Sequence, residues 1–117
     1  MHKLNDLKIW NKAMDIAEKT YLLSANFPAE EKFGLTSQIR RSAVSVPSNI
    51  AERAGRNTKG EFKNFLGIAS GSSYELYTQL LLSHRLNLVD QEKVAPILSE
   101  VIEVQKMNYA LMKSLAV

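Results

Sequence analysis

No cysteine occurs among the 117 residues, which excludes disulfides, thiol nucleophiles and thiolate metal sites. Three prolines and five glycines are too few to punctuate a turn-rich β fold, and they leave long uninterrupted stretches suited to helices. No segment reaches the ~18 consecutive apolar residues of a membrane span, and MHKLNDLKIWNKAMD lacks the apolar centre of a signal peptide. A cytoplasmic protein with no membrane partner is the expectation. Histidine is scarce as well, with only His2 and His84. A di-iron bundle needs paired Glu-x-x-His motifs, and the residue three before His84 is Leu81. Phosphate-loop, dinucleotide and Gly-x-Ser-x-Gly fingerprints are missing. In Gly67-Ile68-Ala69-Ser70-Gly71 the serine falls mid-helix, without a strand-to-helix elbow or a base. The expectation is therefore a protein that is not an enzyme, with no metal, no cofactor and no small-molecule substrate.

What is present is an ordinary globular balance, 45% hydrophobic and 23% charged, in a chain long enough for one modest core. A single domain spanning 1–117 follows. The net charge of +3 permits a nucleic-acid partner without demanding one.

Taken in order, Asn5 or Asp6 is suited to cap a first helix. Leu7, Trp10, Met14, Ala17 and Tyr21 recur at helical spacing and define its expected buried stripe, which ends before Phe27-Pro28. A second helix is predicted over Leu35–Ala54 on the stripe Leu35, Ile39, Ala43, Val46 and Ile50, closed by Gly55. Pro47 stands inside it, removing one amide and pressing on the carbonyl of Ala43, so a kink is expected there. Thr58 to Glu61 reads as a capping box opening a long third helix on Phe62, Phe65/Leu66, Ala69, Ser73, Leu76, Leu80 and Ser83. Its small residues Gly67, Ala69, Ser70, Gly71, Ser72 and Ser73 lower helix propensity and point to a close helix crossing. Asp90 caps a fourth helix whose Val94, Ile97, Val101, Val104, Asn108, Leu111 and Leu115 alternate by three and four. A second seam beside it, from Leu98 through Ile102, Gln105, Tyr109 and Met112 to Ala116, is surplus to one antiparallel partner. Asn108 has the look of a buried polar group that fixes register. The simplest architecture is an all-α, up-down-up-down antiparallel four-helix bundle.

The chemistry concentrates in one basic cluster. Arg40, Arg41, Arg53, Arg56, Lys59 and Lys63 stand against only Glu52 and Glu61 in that interval. The arginine fork suits phosphate, so these six are the candidate nucleic-acid contacts. A second reading runs beside the first. Arg41, Ser45, Ser48 or Asn49, Glu52 and Arg56 share one helical stripe, and Glu75 and Gln79 are the facing candidates on helix three. Arg41, Asn49, Glu52, Arg56 and Glu75 would then form an internal polar network, because unpaired buried charge is costly.

The run Ser37-Gln38-Ile39-Arg40-Arg41-Ser42-Ala43-Val44-Ser45-Val46-Pro47-Ser48-Asn49-Ile50-Ala51-Glu52 then carries a resemblance, continued in Gly55-Arg56, Glu61-Phe62, Phe65-Leu66, Gly71-Ser72 and Glu75-Leu76. With Trp10, Tyr21, Phe27-Pro28 and Gly34-Leu35 it resembles the four-helix-bundle proteins encoded in intervening sequences of bacterial 23S rRNA genes. The resemblance implies a small bundle, sometimes labelled a ribosomal protein, with rRNA or another structured nucleic acid as partner. A related accessory protein of diversity-generating retroelements, similar in fold, implies a homopentamer that binds nucleic acid and a reverse transcriptase. Self-association is expected on that ground and from the surplus seam. One departure is Arg53, where the family usually has glycine.

Overall fold

In a computed structural model the described residues are Leu4, 7–54 and 58–114. They form four helices and one 3₁₀ turn: α1 Lys8–Ser24, the turn Ala29–Glu31, α2 Leu35–Ala54, α3 Lys59–Arg85 and α4 Gln91–Ser114. No strand occurs among them. The helices pack in the cyclic order α1, α2, α3, α4 and back to α1, with α2 and α3 sharing the most extensive contact. Among the described residues no helix is long and apolar enough to cross a membrane.

The stripes on α2, α3 and α4 meet at the centre as their spacing predicts. Ile39, Ala43, Val46 and Ile50 face Leu66, Ala69, Leu76 and Leu80, and Val94, Ile97, Val101 and Val104 close the core. Full burial of side chains such as Ile39 or Leu80 contributes about 1.5–3 kcal/mol each. Hydroxyls on the buried stripes turn back onto their own helices: Thr20 donates to the Ile16 carbonyl, and Ser83 to that of Gln79.

Helix α1 departs from expectation. Its buried residues are Ile9, Ala13, Ile16, Ala17, Thr20 and Ser24, while Met14 and Tyr21 are exposed and Trp10 is half-buried. Two apolar stripes compete on this helix, and contacts with both α2 and α4 favour the one through Ile9 and Ala13. The stripe through Trp10 is left as a wall of surface. The proposed caps Asn5 and Asp6, the helix-ending Gly55, and Leu115 and Ala116 lie outside the described residues.

The helix ends have separate solutions. Thr58 accepts from the Glu61 amide at 3.1 Å, as the capping box requires. The Leu35 amide reaches the Glu31 carboxylate at 3.4 Å. Beyond α3, Asn87 takes the left-handed conformation (φ 63°), and Leu88 and Asn87 donate to the carbonyls of Ser83 and His84. That is a Schellman closure with asparagine in the place glycine usually fills. His84 faces the carbonyl of Val89, an acceptor only, so its Nδ1 carries the proton and donates at 3.2 Å. Pro96 stands in the second turn of α4, which the regular spacing of its seam conceals.

The small residues of α3 divide into two kinds. Ser72 is buried and shares a 2.7 Å hydrogen bond with Ser45, marking the close α2–α3 crossing. Gly71 is exposed, and a Cβ there would meet nothing within 4 Å. Close packing explains Ser72 and does not explain Gly71. Gly71→Ala is therefore expected to raise stability by about 0.5–1 kcal/mol, the helix-propensity difference, measured by denaturant unfolding.

Two ion pairs tie α1 to α4, Lys12 with Glu103 and Lys19 with Glu100, stepping forward along one helix and backward along the other. The hydrogen bond between them holds the Lys12 ammonium above, and the Glu103 carboxyl below, its ordinary pKa. The pair's contribution is present at neutral pH. It is lost as pH falls through the lowered Glu103 value, and again as pH rises through the raised Lys12 value. Both groups are solvated, so the contribution is small. The difference in melting temperature between the parent and Lys12→Ala should shrink at acid pH. It should shrink also in about 1 M salt, where the Debye length is about 3 Å.

Candidate nucleic-acid interface

The six cations of the basic cluster are not one surface. Arg40 is half-buried and spans to α1: its Nε donates to the Ser24 hydroxyl at 2.8 Å and one terminal nitrogen to the Tyr21 carbonyl at 3.2 Å. Its guanidinium also lies 4.7 Å from the Tyr21 ring centroid. A cation on the last-turn carbonyls of α1 complements the negative end of that helix. Arg40 is thus engaged in the fold, through a partner 19 residues away that spacing could not reveal.

Arg53 is only 8% exposed, and its guanidinium covers the Phe62 ring at 5.4 Å. Its Nε is buried with no hydrogen-bond partner among the described residues. This long side chain folds back over the start of α3, so the charge is held against the ring and does not project outward. Cation–π contact offsets part of the desolvation of such a group. Arg41 and Lys63 are exposed. Arg56 and the side chain of Lys59 lie outside the described residues.

Of the five residues that the spacing selects, Asn49 joins a hydrogen-bonded chain that reaches α3. Asn49 donates to the Ser45 carbonyl at 2.8 Å and to its hydroxyl at 3.1 Å, and Ser45 passes the chain across to Ser72. Hydroxyls and an amide therefore join α2 to α3. Arg41 and Glu75 are exposed and make no ion pair with each other; Glu52 is exposed and has an interaction of its own. Gln79 buries its Oε1 without a partner among the described residues. On α4 the buried Asn108 donates to the Leu66 carbonyl at 2.8 Å, an inter-helix bond at the position read as fixing register.

The surface has an apolar feature that the basic cluster does not account for. An open groove of about 420 Å³ runs between α1 and α2, walled by Trp10, Met14, Tyr21, Val44 and Pro47. The displaced α1 stripe forms one wall, and Pro47 stands in the other. Among the described residues no group of three acidic or histidine side chains is placed to hold a metal ion.

An all-α bundle of four helices, with its arginines divided between fold and surface, defines the class of this protein. The chain belongs to the 23S rRNA-intervening sequence protein family, whose model matches residues 5–110. Among solved structures it is similar to a protein of unknown function from the S23 ribosomal protein family of Bacteroides thetaiotaomicron VPI-5482. The two are 25% identical with a TM-score of 0.81, over 90% of this chain and 98% of the other. No curated protein matches the chain.

Proposed function

We propose that the chain is a non-catalytic bundle that self-associates and, as an assembly, binds RNA or another nucleic acid. The observation that supports self-association is the α1–α2 groove, along which Met14, Tyr21 and Val44 stand exposed. Nucleic acid as the ligand is supported by the net charge of +3 and by exposed cations, Lys63, Arg85, Lys106 and Lys113, that make no ion pair among the described residues. His84, held to the Val89 carbonyl, serves the helix end and not a reaction. The number of copies, a pentamer by analogy with the retroelement accessory protein, is part of this reading.

Sedimentation velocity at tens of micromolar, followed by titration of a labelled structured RNA at several salt concentrations, tests both halves. The expected result is an oligomer whose affinity for RNA falls steeply with salt. A strict monomer with no RNA binding at low salt would overturn it. A second reading, a scaffold with no nucleic-acid role, is favoured by Arg40 and Arg53 being taken up in the fold. It predicts the oligomer without the RNA.

A further inference from the structure

We infer that the nucleic-acid contact lies on the α3–α4 face, and not on the arginines of α2, and that its ligand is single-stranded nucleic acid held by two tyrosines and the lysines beside them. The inference rests on the nucleic-acid reading above and assigns its site.

Four observations place the face. On α3, Lys63, Gly67, Ser70, Tyr74, Leu81 and Arg85 share one flank at helical spacing. On α4, Ile102, Lys106, Tyr109 and Lys113 step by four, three and four. The two flanks adjoin, because a Cβ at Gly67 would stand 4.0 Å from Cε of Met112, one turn beyond Tyr109. Finally, both tyrosines stand out from the surface, Tyr74 at 61% and Tyr109 at 68% exposed.

The register gives the face a length. Asn108 meets Leu66 across the seam, and the short connection after Arg85 folds α4 back along α3. Tyr109 therefore lies level with the region of Leu66, about 12 Å along the axis from Tyr74 at 1.5 Å per residue. Lys106 falls between the two rings. From Lys63 to Arg85 the track is about 33 Å long by the same rise.

Its chemistry is of one sign. Lys63, Arg85, Lys106 and Lys113 are exposed and make no ion pair among the described residues. The acidic groups nearby are turned elsewhere. Glu103, one turn before Lys106, is held by Lys12 on the α1 side, although Lys106 still contributes to holding its pKa down. Glu75 is exposed beside Tyr74 in sequence, about 100° further round the helix. A second copy of this chain would have to desolvate these cations unanswered, and lysine is depleted from protein interfaces for that reason. A polyanion answers each of them. Exposed tyrosines interleaved with cations are the arrangement that stacks unpaired bases while tracking phosphates. A duplex hides its base faces, which leaves single strands as the ligand that uses both parts.

The test titrates fluorescein-labelled 20-nucleotide single-stranded RNA, single-stranded DNA of the same sequence, and the corresponding RNA duplex against the full chain. Single strands are expected to bind more tightly than the duplex. Tyr74→Ala and Tyr109→Ala should each weaken single-strand binding about tenfold or more, from lost stacking. Tyr74→Phe and Tyr109→Phe should restore it. Lys106→Ala and Lys113→Ala should each flatten the salt dependence by about 0.7 in slope, the single-strand value per phosphate. Arg41→Ala should leave binding unchanged. All these side chains are exposed, and unchanged melting of the variants checks that each has folded. Comparison of the RNA and DNA arms shows whether the 2′-hydroxyl is read. Binding by the parent that survives the tyrosine and lysine changes overturns this site while leaving the general reading in place. No binding of any nucleic acid by the parent overturns both. Tyrosine variants that alter sedimentation and not RNA affinity give the face to a second copy, and also overturn it.

Discussion

Ser72→Leu is expected to cost about 3 kcal/mol, the sum of two effects at the α2–α3 crossing. Overpacking a filled site costs about 1–3 kcal/mol, and Ser72 is already 92% buried against α2. The Ser45 hydroxyl would also lose its 2.7 Å partner, adding about 1 kcal/mol for a half-buried group that Asn49 continues to satisfy in part. Urea unfolding of the two proteins checks the figure. A change below about 0.5 kcal/mol, the level of an unremarkable surface substitution, would mean that the crossing is looser than the hydrogen bond implies. The neighbouring Gly71→Ala is expected to move stability the other way, so the pair of variants separates packing from helix propensity along one turn.

Asn108→Ala is expected to cost about 2–3 kcal/mol. The side chain is fully buried, and its removal deletes the bond to the Leu66 carbonyl and leaves a void among Val104, Leu66 and their neighbours. The lost hydrogen bond contributes about 1 kcal/mol and the unfilled volume the remainder. Leu66 keeps its own helical hydrogen bond, so no acceptor is orphaned. Asn108→Leu is expected to behave differently. It fills the volume, and it also removes Oδ1, a buried oxygen with no partner among the described residues. Stability should then lie within about 1 kcal/mol of the parent, since replacing a polar pair by apolar groups of similar shape is close to neutral. What Asn108→Leu should lose is uniqueness of the α3–α4 register, visible as broadened side-chain methyl resonances. Sharp spectra with raised stability would show that Asn108 has no part in register.

Much of the bundle is legible before any coordinates. The stripes of α2, α3 and α4, the Thr58 cap and the buried Asn108 all follow from spacing, because each depends on one helix burying one face. Helix α1 is different. It carries two apolar stripes, and the choice between them rests on where α2 and α4 sit. The same limit governs the cations. Arg40 reaches a carbonyl on α1, and Arg53 covers a ring on α3, so the neighbours that decide their surroundings are remote in sequence or beyond a turn. A run of basic residues reads alike whether it faces solvent or a neighbour.

The sequence by itself determined the helical class, the bounds of α2 and the starts of α3 and α4, the core of three helices and membership of a family through one long motif. Hydrophobic period and local capping chemistry act over a few residues, which is why they are readable there. Tertiary structure decided which α1 face is buried, which arginines are taken up in the fold, and which aromatics are left outside beside lysines. Those outcomes depend on the registry of one helix against another, and no stretch of the chain contains it.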